Sequence, residues 1–344
     1  MNLRELSERL NLSQTTVSRA LNGYPEVNEQ TRARVAAAAA KFNYRPNVRA
    51  RTLATGRAMA IGHIIPFSNQ NEMVNVVFAD FIAGAGEVYA GHGYSMSLAL
   101  VRDEDELSAY RGVAEKGAVD GIIVHSPARD DPRIAVLADL DIPFLVHGRV
   151  SEVKTPYAWL DVNNTCAIAT GTGHLLDLGH RRIGLINGEE RLDFAQRRRD
   201  GYLAALAAAG LAPDPALMHS AEMSEPRGHS AAHRMLDLPQ PPTALVASSL
   251  VLALGVRRAI EERGLRMGRD VSVLCFDDEL SYLPNGTDRP QFTAMRSSVR
   301  AAGRRCAELL MGQIAEPDQP LPTELWEADL VIGASTGPCP QRDL

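Results

Sequence analysis

Apolar positions recur every three or four residues along the first forty residues, the period of a helix face. Leu3, Leu6 and Leu10 share one side of a short helix predicted over residues 2–9. Asn2 can cap it, and Glu5 sits where the partner in a capping box belongs. A break follows at Asn11-Leu12-Ser13. Ser13 is an N-cap for a second helix, Gln14 to Asn22, with Val17 and Leu21 facing inward one turn apart. Gly23-Tyr24-Pro25 ends it, and Asn28 caps a third helix running through Ala40 on a stretch of alanines with high propensity. Two short helices joined by a tight turn, with a third closing the core, is the helix-turn-helix plan.

The pattern changes after Ala58, where short apolar strands alternate with helices. Strands are predicted at Ala60–Pro66, Ser95–Leu100, Gly121–Val124, Phe144–His147, Tyr157–Leu160, Arg182–Ile186, Ala244–Ala247 and Val271–Phe276. Helices fall between them, among them Phe78–His92, Cys166–Leu178 and Arg198–Ala209. Such alternation means parallel sheets wrapped by helices, and its length suggests two doubly wound lobes. Ligands in these folds sit beyond the C-terminal strand ends, which puts one ligand in a cleft between the lobes.

Composition adds limits. The chain has 344 residues, 45% hydrophobic and 23% charged, enough for two or three compact units that need no staples. Its four cysteines, Cys166, Cys275, Cys306 and Cys339, are far apart, so neither a disulfide framework nor a structural metal is expected, and no cofactor. Met1 to Glu5 lacks the apolar run of a signal peptide, and no apolar stretch approaches a membrane span; the expectation is a soluble cytoplasmic protein without a membrane partner.

Charge changes the picture more. The net charge is −6, yet residues 1–57 hold ten Lys and Arg against four Glu. A basic head on an acidic body points to a polyanion at the head. In a helix-turn-helix the second helix enters the DNA major groove. Its outward residues here are Gln14, Thr15, Thr16, Ser18 and Arg19. Gln can pair bidentately with adenine and Arg with guanine, each pair discriminating by about 1–3 kcal/mol. Taken as one helix alone, the same face reads as ordinary solvated surface.

Longer motifs decide between the two. Ser13-Gln14-Thr15-Thr16-Val17-Ser18-Arg19-Ala20-Leu21-Asn22, then Val27-Asn28-Glu29-Gln30-Thr31-Arg32, then Asn43-Tyr44-Arg45-Pro46-Asn47 follow one another in order. This series resembles the DNA-binding head of the lactose-repressor (LacI/GalR) family of bacterial regulators. The resemblance implies base or phosphate contacts from Ser13 and Asn22 as well. It also implies a hinge helix after Pro46, capped by Asn47, too short to be stable alone and ordered when two subunits meet on DNA. Leu53 then aligns with the leucine that wedges into the minor groove, with Arg49 and Arg51 near the phosphates or the groove. Leu10-Asn11 departs from the family's usual Ala-Gly pair, but Asn tolerates the left-handed backbone that the turn needs.

The body resembles the family's effector-binding core, itself similar to periplasmic sugar-binding proteins. Its landmarks are Asp120-Gly121-Ile122-Ile123, Ile142-Pro143, Asp161-Val162-Asn163-Asn164, Leu178-Gly179-His180-Arg181-Arg182-Ile183, Arg198-Arg199-Asp200-Gly201-Tyr202 and Phe276-Asp277-Asp278. The implied organisation is a helix-turn-helix domain at 1–45, a hinge at 46–57 and an α/β core of two doubly wound parallel-sheet lobes at 58–344. Lobe one takes about 58–160 and 291–322, lobe two about 161–290 and 323–340. The implied effector contacts are Arg198, Asp277 and His125, with Arg149, Phe194 and Ser249 behind them. Arg suits a cleft because its fork pairs with hydroxyls or carboxylates, and Phe194 could stack on an apolar sugar face. Ser249-Leu250 stands where the family often has Asn-Asp, and Phe67 to Met73 lacks the usual Asn-Pro-Phe, so the effector itself does not carry over.

The expectation is therefore a homodimeric transcription regulator, a repressor, binding a near-palindromic double-stranded operator under control of a small molecule. A sugar is the first candidate effector and a purine co-repressor the alternative. No leucine heptads follow the core, so a tetramer-forming bundle is not expected. An enzyme is the weaker rival. Gly171-Thr172-Gly173-His174 lacks the third glycine of a dinucleotide loop, and Asp277-Asp278 has no second cluster to form a metal or acid–base site. A sugar-binding protein without DNA function is the other, and the basic head argues against it.

Overall fold

The computed structural model describes residues 1–21, 24–44, 57–66, 75–277 and 279–341. It divides into two compact units, Met1–Ala58 and Met59–Leu344.

The first unit holds helices α1 (Leu3–Leu10), α2 (Gln14–Leu21) and α3 (Glu29–Lys41). The capping box forms: Asn2 Oδ1 accepts the Glu5 N–H at 2.9 Å, and the Glu5 carboxylate accepts the Asn2 N–H at 3.3 Å. Asn28 Oδ1 caps α3 by accepting the Thr31 N–H at 2.8 Å. Asn11 turns left-handed at φ 53° after α1, as the turn requires. Leu6, Leu10, Val17, Ala20, Val27, Val35 and Ala39 form the core, with Leu21 only partly covered.

The second unit contains two six-stranded sheets. Its elements run β1 (Ala60–Pro66), α4 (Val76–Gly91), β2 (Ser95–Val101), α5 (Glu106–Glu115), β3 (Gly121–Val124), α6 (Pro132–Asp139), β4 (Phe144–His147) and β5 (Ala158–Val162). Then come α7 (Asn164–Asp177), β6 (Ile183–Asn187), α8 (Asp193–Ala208), β7 (Met218–Ser220), α9 (Glu225–Leu236), β8 (Ala244–Ala247), α10 (Leu250–Glu261) and β9 (Ser272–Asp277). The chain closes with β10 (Thr293–Arg296), α11 (Val299–Ala315), β11 (Thr323–Trp326) and β12 (Asp329–Val331). The first sheet has the order β11-β5-β4-β3-β1-β2, all parallel. The second has β12-β10-β9-β8-β6-β7, parallel except for β12. Each sheet thus reverses its direction of growth after its second strand, with the switch point between β1 and β3 and between β6 and β8. A doubly wound fold binds ligands at that reversal, beyond the strand ends.

Helices cover both faces of each sheet. In lobe one, α4 and α11 bury Phe81, Tyr89, Val299 and Leu310 against the strands. In lobe two, α9 and α10 pack on one face, α7 and α8 on the other. Glycines bring three helix pairs into backbone contact: a Cβ on Gly303 would collide with the Phe81 carbonyl, one on Gly201 with that of Thr165, and one on Gly255 with that of Glu225.

The lobe boundaries differ from the sequence expectation. Thr293–Arg296 pairs with β9 and so belongs to lobe two, and Thr323–Trp326 pairs with β5 and so belongs to lobe one. The chain crosses between lobes after Val162, after Arg296 and after Trp326. Both strands are four residues long with little apolar periodicity, so neither is predicted, and the second and third crossings are expected one strand too early, while the first falls where it is expected.

Candidate functional site

In the first unit α2 starts at Ser13, whose Oγ accepts the Thr16 N–H at 3.0 Å and lies 2.8 Å from Thr16 Oγ1. The two hydroxyls thus cap the helix start and order each other there. Gln14, Thr15 and Arg19 are exposed along α2, Thr16 and Ser18 half-buried, while Val17 and Ala20 face the core. A polar, part-cationic face is thus turned outward by the burial of the opposite one. Asn22, Asn47, Arg51 and Leu53 lie outside the described residues, as do Arg49 and the segment Phe67 to Met73.

Between the lobes lies a cleft of about 670 Å³. It is lined by residues at strand ends: His125 and Ser126 after β3, His147 at the end of β4 and Arg149 just after it, Asp161 from β5, Phe276 from β9. Phe78 and Phe81 from α4 add one aromatic wall, and Phe194 and Arg198 from α8 another.

A polar line crosses the cleft from lobe to lobe. Arg149 Nε donates to Asp161 Oδ2 at 2.8 Å, and Asn164 Nδ2 donates to Asp161 Oδ1 at 3.4 Å. Asn164 Oδ1 accepts from Arg198 Nε at 2.7 Å. Arg198 Nη1 then donates to the Ser248 carbonyl, so the guanidinium is fixed before any ligand enters. It lies 4.0 Å over the Phe276 ring and 5.0 Å from that of Phe194. Burial pushes the Asp161 carboxyl up, against the pull of Arg149.

The cleft is tied at one rim. The Ser151 N–H donates to Asp193 Oδ2 at 2.6 Å, Arg197 reaches Ser151 Oγ at 2.9 Å, and the Asp193 N–H donates to the Pro127 carbonyl at 2.9 Å. Ser151 and Pro127 belong to lobe one, Asp193 and Arg197 to α8 of lobe two.

Four of the six expected cleft residues line it: His125, Arg149, Phe194 and Arg198. Ser249 does not. It is buried, and its Oγ accepts the Leu252 N–H at 3.1 Å to cap α10. Asp277 does not either: Oδ1 accepts the Glu279 N–H at 2.9 Å, and Oδ2 faces Arg296 at 3.5 Å. Its neighbour Phe276 faces the cavity instead. Residues absent from the sequence expectation are Phe78, Phe81, His147, Asp161, Asn164 and Phe276. Asp161 and Asn164 stand in the Asp161-Val162-Asn163-Asn164 landmark, and the strand-end rule points to His147.

His125 is held from behind by a buried cluster. Its Nε2 is 2.9 Å from His63 Nδ1, and His63 Nε2 is 3.1 Å from the Tyr89 hydroxyl. Phe78 and Phe81 stand edge-on to the His125 ring at 5.1 and 5.0 Å. Burial pushes the His63 imidazole down to about 3 and that of His147 to about 4, and His125 in the same direction, so all three are neutral near pH 7. Among the described residues no His, Cys, Asp and Glu cluster could hold a metal ion, and no helix is long and apolar enough to cross a membrane.

Comparison with known proteins fits this geometry. Residues 2–47 match the bacterial regulatory proteins of the lacI family, and residues 172–336 match a periplasmic binding protein-like domain. The chain is 45% identical over 342 residues to the HTH-type transcriptional regulator AglR of Rhizobium meliloti (strain 1021), covering 99% of this chain and 96% of that one. It is 34% identical over 278 residues to RafR of Escherichia coli, covering 80% and 82%. Among solved structures, the lac repressor dimer bound to operator and the anti-inducer ONPF superposes with TM-score 0.83 at 27% identity, covering 98% and 99%. A complex of the regulator CelR with cellobiose gives 0.71 at 26% identity, covering 97% and 99%. A basic helix-turn-helix head followed by a two-lobed α/β core with an interlobe cleft, shared over nearly the full length of such relatives, places this chain in the LacI family of bacterial transcriptional regulators.

Proposed function

We propose that this regulator is a homodimeric cytoplasmic repressor whose operator affinity is set by a sugar of disaccharide size held in the cleft. The cleft itself carries the reading: about 670 Å³ between two lobes, with aromatic walls and a fixed polar line. Pyranose rings have apolar C–H faces that stack on aromatics and a hydroxyl rim that needs paired donors and acceptors. Phe78 and Phe194 supply the first, and Arg149, Asp161, Asn164 and Arg198 the second. CelR has been seen with cellobiose, and the lac repressor with ONPF and with ONPG, which supports the same ligand class.

In the head, Gln14, Thr15 and Arg19 read base edges, while Ser13, Thr16, Ser18 and Asn22 position the helix on the backbone. Paired hinges bring Asn47, Arg51 and Leu53 to the central minor groove of a near-palindrome. The sugar acts only through its different affinity for two lobe arrangements, and the operator senses the same difference in reverse.

Thermal unfolding against mono- and disaccharides and purines tests this. A ligand at one hundred times its dissociation constant stabilises by about 2.7 kcal/mol, a clear shift of the midpoint. A disaccharide hit is expected; a purine hit alone overturns the ligand class. Arg198→Ala should lose the response of operator binding to that sugar while keeping operator affinity, and an unchanged dose–response removes the cleft assignment.

A further inference from the structure

The cluster behind the cleft wall has a direction. Tyr89 is buried on α4, and among the described residues its hydroxyl has one hydrogen-bond partner, His63 Nε2 at 3.1 Å. If His63 donated to that oxygen, the phenolic proton would be stranded in the core, which is disfavoured because it has already lost its water. The O–H therefore donates to Nε2. A neutral His63 then carries its single proton on Nδ1, the nitrogen 2.9 Å from His125 Nε2. That nitrogen donates in turn, so the His125 Nε2 accepts. A neutral His125 is left with its proton on Nδ1.

We infer that Tyr89 and His63 are positioning residues that fix His125 as the Nδ1–H tautomer, so that the first lobe offers the cleft a hydrogen-bond donor and the effector must place an acceptor there. Each link in the relay leaves the next only one choice. The His125 ring packs against Phe78 and Phe81 from α4 and faces His147 from β4 and Arg133 from α6; among the described residues Glu106 and Asp131, which share a small cavity with His125, are both paired with Arg133, and no carboxylate bonds to the ring. Arg133 fixes the backbone as well: its Nη2 donates to the His125 carbonyl at 3.1 Å, and the next residue, Ser126, is held left-handed at φ 46°. Phe78 and Phe81, edge-on to the ring, oppose its rotation.

The chemical consequence rests on the sugar reading above. An acetal oxygen, in a ring or between two rings, accepts but cannot donate. Hydroxyl groups can do either. A donor set in an aromatic wall therefore favours the acetal oxygen of a glycoside, which has no proton to misplace, and disfavours an amino or ammonium group at that point.

The tautomer itself needs no sugar. Long-range ¹H–¹⁵N spectra of full-length protein labelled at histidine nitrogens separate bare from protonated ring nitrogens. His63→Asn and His125→Asn assign the signals. The expected result near pH 7 is a protonated Nδ1 and a bare Nε2 on both His63 and His125, against the preference of free imidazole in water for Nε2–H. In Tyr89→Phe the direction of the relay is lost, and His63 or His125 moves to a mixture of tautomers. A wild-type His125 protonated on Nε2, or on both nitrogens, overturns the proposal, and this holds even if Tyr89→Phe does not fold. Because no ligand is present, a cleft that proves to bind no sugar leaves this result standing.

Discussion

Asn11 adopts φ 53° where α1 hands over to α2. A Cβ without a polar tip is strained in that region by about 1–2 kcal/mol, whereas Asn visits it and Gly visits it freely. Asn11→Ala should lower the midpoint of the head's own thermal transition by several degrees, and Asn11→Gly should leave it near the parent value; calorimetry of the full chain reads both. This residue was legible in the sequence because one conformation was demanded and Asn meets it. Ser249 and Asp277 were not. A polar side chain at a strand end can face a cleft or satisfy the next turn, and the sequence does not say which. Ser249 caps α10, and Asp277 is taken by Glu279 and Arg296. His63 was hidden for a different reason: inside Ala60–Pro66 it reads as one polar residue in an apolar strand, and its partners are Tyr89 and His125, both distant in the chain.

Elements show the same division. The strands of the sheet interiors, β10 excepted, were predicted from their apolar runs, because burial on both faces demands such runs. The strands missed, Met218–Ser220, Thr293–Arg296, Thr323–Trp326 and Asp329–Val331, have three or four residues each. They join by backbone hydrogen bonds to a neighbour already in place, which needs no particular side-chain pattern. The helix pair α4/α11 depends instead on missing side chains. Gly303 meets the Phe81 carbonyl, and Gly84 in return meets that of Arg300. Gly303→Ala must push the two backbones apart, an overpacking cost of about 1–3 kcal/mol. The core transition should move to lower temperature while the head transition stays. An unmoved core would show that the helices separate without loss.

The molecule as a whole carries three neutral imidazoles in lobe one. His63 and His147 are held at about 3 and about 4 by burial, below the ordinary 6.5. When the chain unfolds below pH 6.5 they take up protons that the folded state refuses, so their contribution is complete above that pH. It is lost as pH falls toward 4, at about 1.4 kcal/mol per pH unit for each ring. The urea midpoint of the core should therefore fall between about pH 7 and pH 5, and less steeply in His147→Gln. Equal slopes in the two proteins would show that His147 is charged when folded.

The three lobe crossings bear on the order of synthesis. Lobe one draws its last helix and its edge strand β11 from residues after Arg296, and lobe two draws β12 from the same stretch and β10 from just before it. Neither sheet can be completed on the ribosome until Thr323–Trp326 and Asp329–Val331 have emerged, because each sheet waits for one of these strands. The head closes its own core within the first forty-four residues. A nascent chain therefore carries a closed three-helix head long before it carries a complete ligand cleft, and loss of the stretch from Thr293 to Val331 takes strands from both lobes at once.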